Sequence, residues 1–266
     1  MGGATSRFSE TAWDQVDGGV RDASETLDGN APTEAHTILT LKRPILVNQR
    51  LFQVLDDCDQ VVYQSTPVEG TTKDFDLSLG QQDEEKNEKK LFRIHATDAS
   101  HSKWMIFSYG KPAFDEQVAD HTLAASNNAE AGELNDGDAL YRVARVDIAY
   151  DKHAGHVQKY VPGTDDNRGV LEPLEGDDLE PKYLLKVEEI KSHTAQYQSY
   201  VPSATPSPNL DAVVHPLLVG FWVWEHSPNR HQIKMHLARH TDMALHCLLA
   251  IITNQVYVEN QTKTED

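Results

Sequence analysis

Apolar and polar residues alternate with a period of two over most of this chain, the spacing that sends successive side chains to opposite faces of a strand. The alternation begins at Thr37-Ile38-Leu39-Thr40-Leu41. Leu51-Phe52-Gln53-Val54-Leu55 and Val61-Val62-Tyr63 flank the polar stretch Asp56-Asp57-Cys58-Asp59-Gln60, which predicts a hairpin. Phe75, Leu77 and Leu79 alternate with Asp74, Asp76 and Ser78. Further strands are predicted at Leu91–Ile94, Trp104–Phe107, Leu140–Val146, Tyr183–Val187 and His215–Trp224. In Gln232–Leu237, Ile233, Met235 and Leu237 share one face. The total is roughly nine or ten strands. Phe221, Trp222 and Trp224 sit in the most apolar of them, which reads as buried on both faces.

One segment breaks this pattern. Met243 to Ile252 is apolar on nearly every side, with Thr241 suited to cap a helix and Asp242 to lie in its first turn. A helix that is hydrophobic all round is buried on all sides or lies in lipid. Ten residues are half of what a bilayer span needs, about 20, so burial is expected. Residues 1–37 mix Gly, Ser, Thr and acids with few apolar groups and read as a disordered or partly ordered acidic tail. The folded domain is expected over 38–258, followed by a short tail over 259–266. Asp83 to Lys90, Thr164 to Glu180 and Val201 to Asn209 read as loops.

Many strands followed by one enclosed apolar helix resembles the tubby C-terminal-like superfamily. Within it the chain is most similar to the LURP-one-related proteins, with phospholipid scramblases as distant relatives. Two stretches carry the resemblance. Phe52-Gln53-Val54-Leu55-Asp56 through Val61-Val62-Tyr63 is similar to an opening F-x-V-x-D-x-x-G hairpin, although the glycine is missing. Arg239-His240-Thr241-Asp242-Met243-Ala244-Leu245, running on to Ile252, is similar to the aspartate-led apolar helix that ends the family's domain. The resemblance implies a mainly β fold, a closed antiparallel barrel of about twelve strands around a C-terminal hydrophobic helix. It also implies a non-enzymatic protein, since tubby proteins bind phosphoinositide head groups through a basic pocket. Scramblase activity needs a longer terminal apolar helix and a calcium segment.

Charge narrows the partners. With 42 acids against 24 Lys and Arg, the formal charge is −18, which argues against nucleic acid as a ligand. His226 to Thr241 is a stretch of the chain without an acid. Its Arg230, Lys234 and Arg239, joined by His236, are the candidate residues for an anionic phospholipid or phosphoinositide head group. The start Met1-Gly2-Gly3-Ala4-Thr5-Ser6 fits the N-myristoylation pattern, with Gly2 as acceptor. A single myristoyl chain binds only marginally, and the seven acids among residues 1–40 offer it no polybasic help. The expected location is therefore cytoplasmic, peripheral at a membrane, without a transmembrane span. The alternatives are a scaffold that docks a basic protein partner through its acidic loop from Asp165 to Glu180, and an enzyme built on a β-barrel.

Other chemistry has little support. His236 and His240 have the i, i+4 spacing of a helical zinc pair, but in a strand that spacing spans about 13 Å. Neither Asp74-Phe75-Asp76-Leu77-Ser78 nor Asp165-Asp166-Asn167-Arg168-Gly169 has the glycine and glutamate of an EF-hand. Cys58 and Cys247 are far apart and build no metal or redox motif. No G-x-S-x-G, P-loop or G-x-G-x-x-G occurs, so neither a catalytic residue nor a metal or cofactor is expected.

Overall fold

The computed structural model describes residues 13, 16–23, 26–42, 51–71, 74–80, 90–97, 103–109, 141–149, 154–159, 183–191, 194–201, 217–225 and 232–263. They form twelve strands and, among the described residues, one α-helix. The first six strands are β1 (Thr37–Lys42), β2 (Gln53–Leu55), β3 (Val61–Pro67), β4 (Phe75–Leu79), β5 (Lys90–Ala96) and β6 (Lys103–Ser108). The rest are β7 (Tyr141–Ala149), β8 (Ala154–Lys159), β9 (Tyr183–Lys191), β10 (Thr194–Val201), β11 (Leu217–Glu225) and β12 (Gln232–Leu237), followed by α1 (Met243–Lys263). Each strand pairs antiparallel with the next in sequence. β1 also pairs along its whole length with β12, from Thr37 opposite Leu237 to Lys42 opposite Gln232. The order of pairing thus returns on itself, which closes the barrel and removes its edges.

Two strands have no counterpart among the predicted elements. β8 reads Ala-Gly-His-Val-Gln-Lys and β10 reads Thr-Ala-Gln-Tyr-Gln-Ser-Tyr-Val. Both are too poor in aliphatic residues to show an alternation, and their neighbours β7, β9 and β11 recruit them through backbone pairing.

The inward faces follow the alternation. Leu39 and Leu41 of β1, Phe75 and Leu77 of β4, Trp104 and Ile106 of β6, and Met235 and Leu237 of β12 are all buried. Inside them lies α1, on which every residue from Ala244 to Asn254 is buried. The tryptophans of β11 hold the helix by their indole edges. Trp222 donates to Thr253 Oγ1 at 3.0 Å, and Trp224 donates to the Ala250 carbonyl at 3.2 Å. Each fully buried Leu or Ile contributes about 2 kcal/mol. Leu245, Leu248, Leu249, Ile251 and Ile252 therefore give the enclosed position a large advantage over any solvent-exposed one. The helix is longer than the apolar run predicts. It has 21 residues and runs past residue 258, because Thr253 to Lys263 continues it with a polar sequence.

Its start also departs from the expected cap. Asp242, not Thr241, caps the helix, and its Oδ1 accepts the Leu245 N–H at 3.0 Å. The other oxygen, Oδ2, accepts the N–H of Leu27 at 2.9 Å. Residues 16–36, assigned to the tail by composition, are in fact tied to the barrel wherever they are described. Gly18 donates to the Arg239 carbonyl and Val20 to that of His240. Thr33 Oγ1 donates to the Ala238 carbonyl at 2.7 Å and accepts the Thr241 N–H at 2.9 Å. Val20 and Leu27 are buried in this strap. Gly18 passes so close that a Cβ there would lie 2.4 Å from Thr241 Oγ1, so only glycine fits.

The β2–β3 turn explains the missing glycine of the opening hairpin. Asp56 Oδ1 accepts the N–H groups of Cys58 and Gln60, at 2.9 and 2.8 Å. This leaves Asp59 at φ 60°, in the left-handed region, at the position where the hairpin pattern has its glycine. Aspartate tolerates that region better than most residues but at a cost. Asp59→Gly is expected to raise stability by about 0.5 kcal/mol in urea unfolding, the relieved strain exceeding the entropy of a freer unfolded chain.

Candidate functional site

The proposed head-group residues fall in two separate places. Lys234 and His236 both point outward from β12, whose Met235 and Leu237 point in. Arg239 lies beyond the strand, five residues from Lys234, about 16 Å along an extended chain. Arg230, Gly2 and the acidic stretch from Asp165 to Glu180 lie outside the described residues.

Lys234 is exposed, opposite Thr40 of β1. Two residues along, Lys42 of β1 lies opposite Gln232, so two lysines stand diagonally on adjacent strands. Neither makes an ion pair with a described residue. Ile38, opposite His236, is 36% exposed on the same outer face. The lysines and Ile38 form a cationic and partly apolar strip on an otherwise acidic protein.

His236 is already engaged. Its ring lies against Trp13 at 5.9 Å and His36 at 5.5 Å between centroids, and Trp13 stacks on His36 at 5.2 Å with planes 7° apart. His36 Nε2 and His236 Nδ1 face each other at 3.3 Å, one serving as donor and the other as acceptor. Burial, His36 and Lys234 together push the His236 pKa down. The imidazole therefore anchors the strap to β12 in its neutral form, a role no sequence pattern near residue 236 signals.

Arg239 belongs to a second cluster with Asp17, Arg21 and His240. Asp17 Oδ2 accepts from Arg21 Nη1 at 2.9 Å and lies 3.9 Å from Arg239 Nη2. Asp17 Oδ1 accepts the Gly19 N–H at 2.9 Å and lies 3.1 Å from His240 Nδ1. Burial works to raise the Asp17 pKa. The Gly19 amide, Arg21 and His240 outweigh it and hold the carboxyl at about 2. Asp17, Arg21, Trp13 and His36 escaped the sequence reading because their partners are about 200 residues away in the chain.

The remaining acidic groups have structural partners. Asp76, 2% exposed, is held by Arg93 at 2.9 Å, Lys90 at 3.0 Å and the Tyr109 hydroxyl at 2.9 Å. Burial opposes its ionisation, but Arg93 and Lys90 prevail and its pKa falls. Asp74 faces His95 Nδ1 at 2.9 Å. These side chains occupy the carboxylates that an alternating Asp-Phe-Asp strand would offer to calcium. Asp56, Asp57 and Cys58 lie within reach of one another, but they are successive residues of a turn, and Asp56 Oδ1 is spent on backbone amides. A hydrogen bond and charge from Asp57 raise the Cys58 pKa, which makes it a poor nucleophile.

No protein-family profile matches this chain, and no curated protein sequence matches it. Among solved structures it is similar to the X-ray structure of the Arabidopsis thaliana protein AT5G01750, at 10% identity and a TM-score of 0.48. That match covers 88% of this chain and 98% of the other.

Two groups at the helix start set measurable stability terms. Asp242→Ala removes the cap and leaves the Leu27 N–H without its acceptor, so urea unfolding is expected to show a loss of about 2–4 kcal/mol. His246 is fully buried, and its Nδ1–H donates to the Asp242 carbonyl at 2.8 Å. Burial lowers its pKa to about 4. The unfolded chain then binds more protons than the folded one between about pH 6.5 and 4, so stability falls as pH falls. From pH 7 to 5 this group is expected to remove about 2 kcal/mol. His246→Asn, which keeps a donor, is expected to lack that part of the acid sensitivity in paired unfolding curves.

Proposed function

We propose that this chain is a tubby C-terminal-like barrel of the LURP-one-related kind, working as a non-enzymatic module at the cytoplasmic face of a membrane. An N-myristoyl group on Gly2 supplies one weak contact, and the outward lysines of β1 and β12 supply the other. The observation that carries this reading is the stacking of Trp13 on His36 and His236, beside Lys234. The chain that precedes Trp13 therefore starts from the same outer face that presents Lys234 and Lys42. Only ten residues separate Gly2 from Trp13, a tether short enough for an acyl chain on Gly2 to reach the bilayer surface that the cationic strip would meet.

Either contact alone is feeble. A myristoyl chain binds with about 10⁴ M⁻¹, and each lysine near an anionic surface adds about 1 kcal/mol. Joined on one face, the second contact forms at high effective concentration and the two multiply. A surface role also agrees with the barrel interior, where α1 takes the space that hollow barrels of this size use for a ligand. No helix among the described residues is long and apolar enough to cross a membrane, so attachment by helix insertion has no support.

Co-sedimentation of the N-myristoylated protein with vesicles containing phosphatidylserine and phosphoinositide tests the reading at physiological salt. Lys234→Ala is expected to weaken binding about fivefold, and Gly2→Ala to reduce it to background. Equal binding by the Gly2→Ala protein and the wild type would sink the proposal.

A further inference from the structure

Sequence spacing pairs His236 with His240, but the His240 ring faces Asp17 and Arg21. The fold gives His236 a different partner, from the other end of the chain. His36 immediately precedes β1 and stands diagonally across from His236 on the closing pair of strands, where Ile38 is directly opposite His236. His36 Nε2 and His236 Nδ1 are 3.3 Å apart, and the ring centroids are 5.5 Å apart. The centroid separation exceeds that of the nitrogens by about two ring radii, so the nitrogens point almost straight at each other.

Two nitrogens so placed suit two chemistries. One is a hydrogen bond between neutral imidazoles, and at 3.3 Å it is longer than the usual range of about 2.7–3.2 Å. The other is a shared metal ion. Zinc bonds imidazole nitrogen at about 2.0–2.1 Å with tetrahedral angles, which sets two such ligands about 3.3–3.4 Å apart. The nitrogens already stand at that separation. An ion would lie about 1.2 Å to one side of the line between them, and each ring would rock toward it about a nearly fixed nitrogen. The two ring planes are 18° apart and Trp13 lies 7° from that of His36, so rocking within the plane keeps the rings against the indole. Both imidazoles are only partly buried, which leaves them open to an ion and its waters.

We propose that His36 and His236 form a binding site for a divalent transition-metal ion of the zinc class, held by two imidazoles, completed by water, and clamping the strap to β12. Imidazole suits zinc, copper and nickel, whereas calcium and magnesium take oxygen ligands. Each imidazole is neutral before and after binding. The one that donates in the pair passes its proton through solvent to its other ring nitrogen, so none is released. The formal charge of −18 concentrates cations near the surface, while Lys234 on the same face repels them. With half the protein ligands of a closed structural site, the dissociation constant is expected to be on the order of 10 µM. The two ligands meet only where β1 pairs with β12, so the ion binds the closed barrel and stabilises it.

The site needs neither an acyl chain nor a head group, so its test stands apart from the membrane reading. Zinc is titrated calorimetrically into the full chain, without a polyhistidine tag and with excess magnesium to occupy surface carboxylates. One saturable site is expected. His36→Gln and His236→Gln, which keep a hydrogen-bonding side chain, are each expected to weaken it about twentyfold. With zinc about tenfold above the dissociation constant, the wild-type thermal midpoint is expected to rise by about 4 °C, and that of either variant by less than about 1 °C. A variant can lose the site by losing its fold, so the wild type is also read directly. Proton–nitrogen correlation spectra of the histidine rings are expected to move His36 Nε2 and His236 Nδ1 to the metal-bound range as zinc is added. No saturable zinc binding, equal affinity in the wild type and both variants, or zinc-induced shifts confined to other histidines would each overturn the proposal.

Discussion

A single buried carboxylate joins the three parts of this molecule. Asp242 is 1% exposed, and both its oxygens accept backbone N–H groups, one opening the helix and the other in the strap. A buried carboxylate is tolerable only when its oxygens are satisfied. The strap and the helix start are therefore mutually required. Without Leu27 in place, Oδ2 loses the donor that the strap supplies, and without the helix the barrel interior is left without its filling. The closing pair β1–β12 depends on the same junction, because β12 leads directly into it and the strap leads directly into β1.

The strap also distributes charge. In a protein with a formal charge of −18, cations are few and their neighbours decide what they do. Asp17 engages Arg21, Arg239 and His240 near the end of β12, while Trp13 and His36 cover His236. Lys42 and Lys234 keep their charge toward solvent on the outer face. Because the rest of the acidic surface repels an anion, the half-buried Lys42 and exposed Lys234 direct its approach to their face, an effect that salt would weaken.

Much of the barrel was legible from local pattern. β4 and β12 show a period of two because one face of each lies against the helix, and burial of that face requires apolar residues. The outward direction of Lys234 follows from the same alternation. β8 and β10 were invisible because their composition shows no apolar face. The helix end has no sequence signature because only the apolar part of the helix carries one, and the pattern places the cap one residue early. Thr241 and Asp242 are both good caps by type, and only the position of Leu245 distinguishes them. The strap could not be read at all. Its acids, glycines and threonines look like a solvated tail, and the partners that order it are made about 200 residues later.

Closure by the first and last strands sets a timetable for folding. The pairing partner of β1 and the filling of the barrel are both synthesised after β1 to β11. Until they exist, the inward leucines, phenylalanines and tryptophans of the earlier strands line a space with nothing in it, and the outer edge of β1 lacks its neighbour. Contacts of such long sequence separation form slowly, because loop entropy must be overcome before they contribute. Until β12 and α1 emerge, the nascent chain is an open apolar sheet with an unpaired edge, a species prone to aggregate and suited to chaperone capture. Closure of the barrel in that sense waits on the helix, which enters a barrel that could not close before it.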